Sequence, residues 1–280
     1  TFANGIYTST EKVYNGEVFK PLLKQMCNKS LVEIKDLNTD TLYYWRLSPE
    51  LITAFDEVFI LTYLFSGQSI HHMLQMNDIE YKYIGVKNDN GIHRFCEGRG
   101  DTPEFIYDLK DKIHILDNEK LNRIGDDRHD LSMAWFDKPT SDIGQLKNNL
   151  YNFFRNLNGN TDASKRLWAT FNKEYQQLKG KGYANSFLTF NARATNNYRD
   201  REILAYAANI FMNVGEKLFY KTNGVEVDED AYALSTLIQW IWRSAIRDGK
   251  EISLYLPSIR MRELLLDWMD KSAKGVMMYG

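Results

Sequence analysis

The stretch that decides the fold is Asp228-Glu-Asp-Ala-Tyr-Ala-Leu-Ser-Thr-Leu-Ile-Gln-Trp-Ile-Trp-Arg-Ser-Ala-Ile-Arg-Asp-Gly249. Its apolar residues follow helical spacing, and its first three residues are acidic, as the positive end of a helix dipole favours. Its last residue is a glycine, which suits a left-handed helix cap. The pattern therefore predicts one helix over the whole stretch. The following residues, Glu251-Ile-Ser-Leu-Tyr-Leu256, predict a strand, and a second helix is predicted over 260–269.

Three polar residues of this predicted helix are spaced four apart: Gln239, Arg243 and Arg247. Steps of four drift by roughly 40° around a helix, so the three side chains are expected in one arc about 80° wide. Such a row can present two cations to one anion. The alternative is an amphipathic helix whose Arg243 pairs with a nearby carboxylate, and the residues alone leave both interpretations open.

Composition sets broad limits on the protein. The chain has 280 residues, a formal net charge of −2 and 44% hydrophobic residues, which fits one large or two small globular domains. Because the charge is balanced, nucleic-acid contact would need a local patch. Two cysteines without a pairing pattern, Cys27 and Cys96, indicate a reduced, cytoplasmic setting. With no apolar run of membrane-spanning length and no visible signal peptide, no membrane association is expected.

The order of predicted elements indicates the fold class. The run Glu57–Phe65 is nearly all apolar, as expected of a central parallel strand, and a Ser-Gly turn and a helix over 68–76 follow it. With a strand over 79–86 this predicts a βαβ unit. Further alternation of strands and helices predicts an α/β fold with a mainly parallel sheet flanked by helices.

Two long helices are predicted to interrupt this alternation. Ser141–Leu157 and Ala163–Leu178 have helical apolar spacing, and they suggest a helical insertion over about 141–178. The run 203–212 fits a helix or a strand equally well. The predicted domain limits are an N-terminal connecting segment over 1–56 and one domain over 57–280.

Polar residues follow two of the predicted strands. In open α/β sheets, ligands bind beyond strand ends. After a predicted strand over 186–190, short amides, a hydroxyl and arginines suit phosphate or ribose contacts. After the apolar strand, backbone N–H groups near the start of the next helix could meet a phosphate. The alternatives are a solvated polar loop and a simple turn. The candidate residues are Asn191, Arg193, Thr195, Asn196, Arg199, Thr62, Ser66 and Gly67.

In the order of its parts, the chain resembles the second RecA-like domain of superfamily-two (DEAD/DEAH-type) helicases. The family carries a Gln-x-x-Gly-Arg-x-x-Arg motif, and Gln239-Trp-Ile-Trp-Arg243 keeps its Gln-to-Arg interval. Two departures stand out, since Trp242 occupies the usual Gly position and Arg247 comes one residue later than the second Arg. In the preceding loop, Asn191 stands near the usual Thr and Asp200 near the usual Asp.

The resemblance implies a RecA-like, P-loop NTPase-type sheet from a phage or mobile element. It implies that Gln239, Arg243 and Arg247 reach the γ-phosphate of ATP, held with Mg²⁺ on an N-terminal RecA-like domain. It also implies that the polar turns contact DNA or RNA. The chain contains no Gly-x-x-x-x-Gly-Lys-Ser/Thr loop. We therefore expect the C-terminal half of a helicase, cut from a longer protein and unable to hydrolyse ATP alone.

Other functional classes stay open at this point. One is a stand-alone α/β nucleic-acid-binding or interaction domain without catalysis. A restriction-type nuclease would need clustered carboxylates and a lysine, and Asp228–Asp230 with Lys250 does not form a convincing set. His93 and Cys96 have zinc-ligand spacing but lack a second pair, so no metal site is predicted. Basic residues near Trp168 indicate either a nucleic-acid surface or a solvated helix face.

Overall fold

The computed structural model divides the chain into two compact units. The first unit is Thr1–Tyr81 with Met212–Asp228, and the second is Lys82–Phe211 with Glu229–Gly280. The predicted limits at 1–56 and 57–280 stay a prediction. The residues that the structure describes are 2–3, 6–10, 15–28, 30–35, 41–98, 100–101, 104–159, 161–192 and 195–274.

The first unit contains a four-stranded antiparallel sheet in the order β1-β2-β3-β4. Its helices α3 and α9 pack together, and α9 also packs on β3 and β4. The ring of Phe219 lies 5.9 Å from that of Tyr44, and the Tyr220 hydroxyl donates to the Ser69 carbonyl at 2.9 Å. Its elements are β1 (Phe2–Ala3), β2 (Ile6–Tyr7), α1 (Lys20–Cys27), β3 (Leu31–Lys35), β4 (Thr41–Trp45), α2 (Pro49–Thr53), α3 (Ser69–Met76) and α9 (Val214–Thr222).

The second unit is built on a four-stranded, all-parallel sheet in the order β7-β10-β9-β8. Every residue of β8 and β9 is buried, as expected for parallel strands covered on both faces. This confirms the predicted α/β class with a parallel sheet flanked by helices. The strands are β7 (Ile113–Ile115), β8 (Arg166–Ala169), β9 (Ile203–Tyr206) and β10 (Ile252–Tyr255).

Helices cover both faces of this sheet. On one face, Trp168 and Tyr255 join a core with Phe153 and Phe154; on the other, the Tyr206 ring lies 5.2 Å from Trp240 of α10. The helices are α4 (Leu109–Lys112), α5 (Glu119–Asn122), α6 (Met133–Phe136), α7 (Ile143–Tyr151) with a π-helical continuation (Asn152–Leu157), α8 (Tyr175–Leu178), α10 (Glu229–Ile241) and α11 (Ile259–Ala273). Within the described ranges, no helix is long and apolar enough to cross a membrane.

A β-hairpin precedes the sheet. Strands β5 (Ile84–Asp89) and β6 (Ile92–Glu97) pair antiparallel. Asn90 and Gly91 between them both have positive φ, at 50° and 89°, as a type I′ turn requires. The predicted βαβ unit is therefore wrong, because its second strand pairs with a hairpin neighbour.

The apolar run Glu57–Phe65 is also not a strand, so that prediction is wrong. Residues 57–64 are irregular, and Leu61 is 93% exposed. An apolar run becomes a central strand only if neighbouring strands pair with it on both sides. Among the described residues none pairs with this run.

Two further predictions are corrected in the second unit. The helix predicted over Ala163–Leu178 is wrong, because strand β8 interrupts it and pairs with β9. A four-residue strand is too short to show its period, and Leu167 and Trp168 happen to match helical spacing. The strand predicted over 186–190 is not formed; instead, Phe187 makes a single isolated parallel bridge with Trp168. The ambiguous run 203–212 begins as strand β9.

Candidate functional site

Helix α10 is shorter than the sequence predicts. It ends at Ile241, and Ala245–Asp248 forms a 3₁₀ turn capped by Gly249 at φ 72°. Between them, buried Ser244 is extended (ψ −170°), and its hydroxyl donates to the Ile241 carbonyl at 2.6 Å. A serine that bonds the backbone locally competes with the helix. The prediction of one helix bearing three polar heads in one arc is therefore wrong.

The three motif residues occupy different surroundings. Gln239 lies within α10, where its amide donates to the Ser235 hydroxyl at 2.9 Å. Arg243 is half-buried in the turn after α10, and its backbone N–H donates to the Trp240 carbonyl at 3.0 Å. Arg247 is exposed in the 3₁₀ turn. Of the two arginines, Arg247 presents the more accessible guanidinium.

The polar loop that contains Asn196 contacts the 3₁₀ turn Ala245–Asp248 directly. Arg247 Nη1 donates to Asn196 Oδ1 at 2.6 Å. Beside it, Arg199 Nε donates to both carboxylate oxygens of Asp248, at 3.0 and 3.1 Å. This hydrogen bond is the main cause of the lowered pKa of Asp248. We call Asn196, Arg199, Arg247 and Asp248 the amino-edge cluster.

The name reflects where the cluster lies. Arg199 comes shortly before β9 and Arg247 shortly before β10, so both are near the amino ends of parallel strands. The Ala245 N–H donates to the Arg201 carbonyl at 2.9 Å. This bond holds the segment that leads into β10 next to the segment that leads into β9. The expectation that this loop lies beyond the carboxyl end of a strand is therefore wrong for its second half.

The other loop candidates are more scattered. Asn191 is exposed, and Thr195 Oγ1 accepts from the Asn197 N–H at 3.4 Å in a local turn. Arg193 lies outside the described residues. The ring of Phe190, just before Asn191, lies 5.0 Å from Tyr206 at the carboxyl end of β9. The described parts of the loop on either side of residues 193–194 thus lie near opposite ends of the sheet.

The remaining three candidates belong to the first unit. Thr62 is exposed in the irregular segment, and Ser66 and Gly67 lie in a 3₁₀ turn, Phe65–Gly67, just before α3. The Gly67 N–H donates to the Leu64 carbonyl at 3.1 Å. This bond occupies one backbone donor that had been expected to meet a phosphate, and the role of the three residues stays a prediction.

Arg260 is a buried arginine at the carboxyl edge of the sheet that was not predicted from the sequence. Arg260, at the start of α11, is 1% exposed. Its Nη1 donates to Asn209 Oδ1 at 2.9 Å and to the Ile210 carbonyl at 2.7 Å, and its Nε donates to Asp230 Oδ1 at 2.9 Å. Its guanidinium also lies over the Phe211 ring at 4.2 Å, and burial lowers its pKa. An arginine two residues after a helix N-cap carries no sequence signal of burial.

Metal ligands do not gather in the described part of the chain, where no group of three His, Cys, Asp or Glu side chains could hold an ion. His93 and Cys96 stand three residues apart on β6, so they face opposite sides of the hairpin. His72 is buried in the first unit, and burial lowers its pKa to about 4.

Comparison with known proteins gives two findings. A family described as "YonV C-terminal Rossmann-like domain" matches residues 107–269, more than half of the chain. The chain is also 37% identical over 258 residues to the SPbeta prophage-derived uncharacterized protein YonV of Bacillus subtilis (strain 168). The match covers 92% of this chain but 61% of that relative, so the chain spans less than two thirds of the relative's length. No solved structure matches the chain. The matched range contains the whole parallel sheet, and the chain belongs to the YonV C-terminal Rossmann-like domain family.

Proposed function

We propose that this chain is the C-terminal half of an ATP-dependent DNA or RNA helicase or translocase. The observation that carries the proposal is the 2.6 Å hydrogen bond from Arg247 to Asn196. It joins the turn that bears the candidate phosphate-sensing arginines to the loop that bears the candidate nucleic-acid contacts. Through this bond a rearrangement of one segment can change the other, and coupling of nucleic-acid binding to ATP requires such a connection.

Each candidate residue has a role in this proposal. Arg247 exchanges Asn196 for a phosphate, because a guanidinium meets phosphate oxygens bidentately and keeps its proton. In the proposal, Arg243 reaches the same phosphate from the turn after α10, and Gln239 reaches it from α10. The loop and the first-unit turn contact the nucleic-acid backbone through Asn191, Arg193, Thr195, Asn196, Arg199, Thr62, Ser66 and Gly67.

ATP and Mg²⁺ enter this proposal only through an N-terminal RecA-like domain. The chain contains no Gly-Lys-Ser/Thr phosphate loop, and the relative is longer than the matched region. When bound there, ATP would supply a γ-phosphate whose transferring oxygens carry negative charge. The arginines of this chain would place positive charge next to these γ-phosphate oxygens. The cytoplasmic, phage-related setting expected from the sequence belongs to the same proposal.

The test is ATP hydrolysis by the full protein that contains this chain, with and without single-stranded DNA and RNA. Arg247→Ala and Arg243→Ala should each lower kcat on the order of 10³-fold, the effect of removing an arginine that stabilises transferred phosphate. Arg123→Ala is the matched control, because Arg123 is an exposed arginine of the second unit that pairs with Glu119 at 3.2 Å. Unchanged hydrolysis in both variants would overturn the assigned roles.

A second candidate function is a non-catalytic α/β nucleic-acid-binding or interaction domain. Its supporting observation is that the amino-edge cluster is internally paired, Arg199 with Asp248 and Arg247 with Asn196. Such pairing needs no nucleotide. Salt-dependent binding to a single-stranded oligonucleotide that ATP leaves unchanged, in a full protein without ATPase activity, would favour it.

A further inference from the structure

A second buried arginine of the parallel sheet lacks the partners that a buried cation normally has. Arg166, the first residue of β8, is 1% exposed. Its Nη1 donates to the Gly182 carbonyl at 2.7 Å and its Nη2 to the Thr161 carbonyl at 2.9 Å. Its Nε has no hydrogen-bond partner among the described residues. Buried charges are usually paired, so this guanidinium has unused capacity for an anion.

A second arginine lies beside Arg166. A Cβ atom placed on Gly182 would lie 2.9 Å from Arg166 Nη1, 3.1 Å from Arg155 Cδ and 3.5 Å from Arg155 Nη1. Both guanidinium groups therefore border one glycine. Burial lowers the pKa of Arg166, and the charge of Arg155 lowers it further. Two adjacent cations repel each other, and a bound anion would offset this repulsion.

No carboxylate of the described residues forms an ion pair with Arg166 or Arg155. Asp162 acts on Arg166 through space, but its oxygen accepts from the Ser164 N–H at 2.9 Å, and no ion pair joins the two. Lys165, next in sequence, is already paired with Glu202 at 3.2 Å. Two more lysines, Lys179 and Lys181, are exposed on either side of Gly180. The local charge is therefore strongly positive in a chain of net charge −2.

The surrounding backbone is held in place. The rings of Phe154 and Tyr183 stack at 4.9 Å, which joins the segment bearing Arg155 to the loop bearing Gly182. The Tyr183 hydroxyl donates to the Leu178 carbonyl at 2.6 Å. Gly182 has φ 88°, a conformation that L side chains rarely adopt, and its missing side chain leaves the room between the arginines. Arg155 itself lies in the π-helical turn Asn152–Leu157, a feature frequent at functional sites.

We propose that Arg155, Arg166 and the Gly180–Gly182 loop form a binding site for a phosphate group. In this site Arg166 is the buried, preorganised cation, and Arg155 is the exposed one that closes on the anion. Lys181 supplies a further positive charge at the rim. Arginine forks match the oxygen geometry of phosphate better than ammonium groups do. The site is independent of ATP, and it stands whether or not Arg243 and Arg247 act on a nucleotide.

The phosphate could belong to a nucleic-acid backbone or to a free phosphorylated molecule, and the experiment separates these sources. The chain is titrated with a fluorescent single-stranded oligonucleotide and, separately, with inorganic phosphate. Phosphate binding is followed as a shift of the thermal midpoint against chloride at equal ionic strength. The variants are Arg155→Ala and Lys181→Ala, both exposed positions, with Arg123→Ala as the matched control.

We expect Arg155→Ala to weaken the binding of at least one probe about 10-fold, since a hydrogen bond to a charged group is lost. If the source is nucleic acid, the slope of log affinity against log salt should also fall by about 0.7. A response to the oligonucleotide identifies a nucleic-acid backbone, and a response to inorganic phosphate alone identifies a free phosphate. If neither probe distinguishes Arg155→Ala from Arg123→Ala, the site does not exist. That result would leave the ATPase test of Arg243 and Arg247 untouched.

Discussion

Arg260 and Arg166 are equally buried, each 1% exposed, at opposite ends of one parallel sheet. Arg260, near the carboxyl ends, bonds the carboxylate of Asp230 and the amide of Asn209, and it lies over an aromatic ring. Arg166, at the amino end of β8, bonds two backbone carbonyls and borders Arg155. Burial depth is the same, but the compensation of charge differs.

The difference separates a structural arginine from a binding arginine. Arg260 connects the segment after β9 with the starts of α10 and α11. Its positive charge is compensated within the protein by the carboxylate of Asp230. Asn209, its partner, donates in turn to the carbonyls of Arg128 and Asp130 at 2.8 and 3.0 Å. Arg166 connects two loops through carbonyls, and its charge is left for an outside anion. A buried cation is informative only together with its complete set of partners.

The largest expected effect follows from removing the well-compensated cation. Arg260→Met should lower the free energy of unfolding by about 3 to 4 kcal/mol, because buried acceptors of Asn209 and Ile210 lose their donor. The measurement is urea unfolding followed by tryptophan fluorescence, with Arg123→Met as the exposed control. A loss below about 1 kcal/mol would mean that Arg260 does not hold this edge together.

A smaller effect is expected from the poorly compensated cation. Arg166→Met removes hydrogen bonds to two carbonyls, but it also removes a buried charge that no carboxylate pairs with. We expect a loss of about 1 to 2 kcal/mol, measured in the same way in chloride buffer. The comparison becomes sharper in phosphate buffer, where the wild type should gain stability and Arg166→Met should not. A loss equal to that of Arg260→Met would erase the distinction between the two arginines.

The sequence predicted the parts of the fold that have strong local signals. Strand β10 and the helix after Ser258 are confirmed, and the predicted helix Ser141–Leu157 is observed as α7 over Ile143–Tyr151, because apolar runs and caps mark these elements locally. Strand β8 was missed, since four buried residues that include an arginine resemble a helix face. The run Glu57–Phe65 failed for the opposite reason: it has strand composition but no strand neighbours in the described structure.

In the candidate site, too, local sequence signals predicted some features and did not reveal contacts between distant residues. The polar loop pointed to Asn196 and the helical spacing to Arg247, and the fold brings the two within 2.6 Å of each other. Their functional role stays a prediction. Spacing could not reveal that Ser244 breaks the helix, because a single hydroxyl decides between helix and turn. Arg166 is among the basic residues near Trp168 that the sequence pointed to, but nothing in the sequence showed that Arg166 or Arg260 is buried. Their burial depends on contacts that are distant in sequence, such as Arg166 with Gly182, 16 positions away, and Arg260 with Asn209, 51 positions away.

The smallest expected effect concerns an exposed arginine, which completes the comparison. Arg199 reaches Asp248 with a two-point hydrogen bond, yet half of its side chain faces solvent. Exposed ion pairs gain little, because water and salt screen them. Arg199→Ala should therefore leave the urea midpoint of the chain unchanged within error, while Arg260→Met shifts it strongly. Asp248→Asn, which removes the same pair from the other side, should agree with it. If Arg199→Ala instead lowered the midpoint as much as Arg166→Met, exposure would not be what separates these arginines, and the amino-edge cluster would be part of the structural framework.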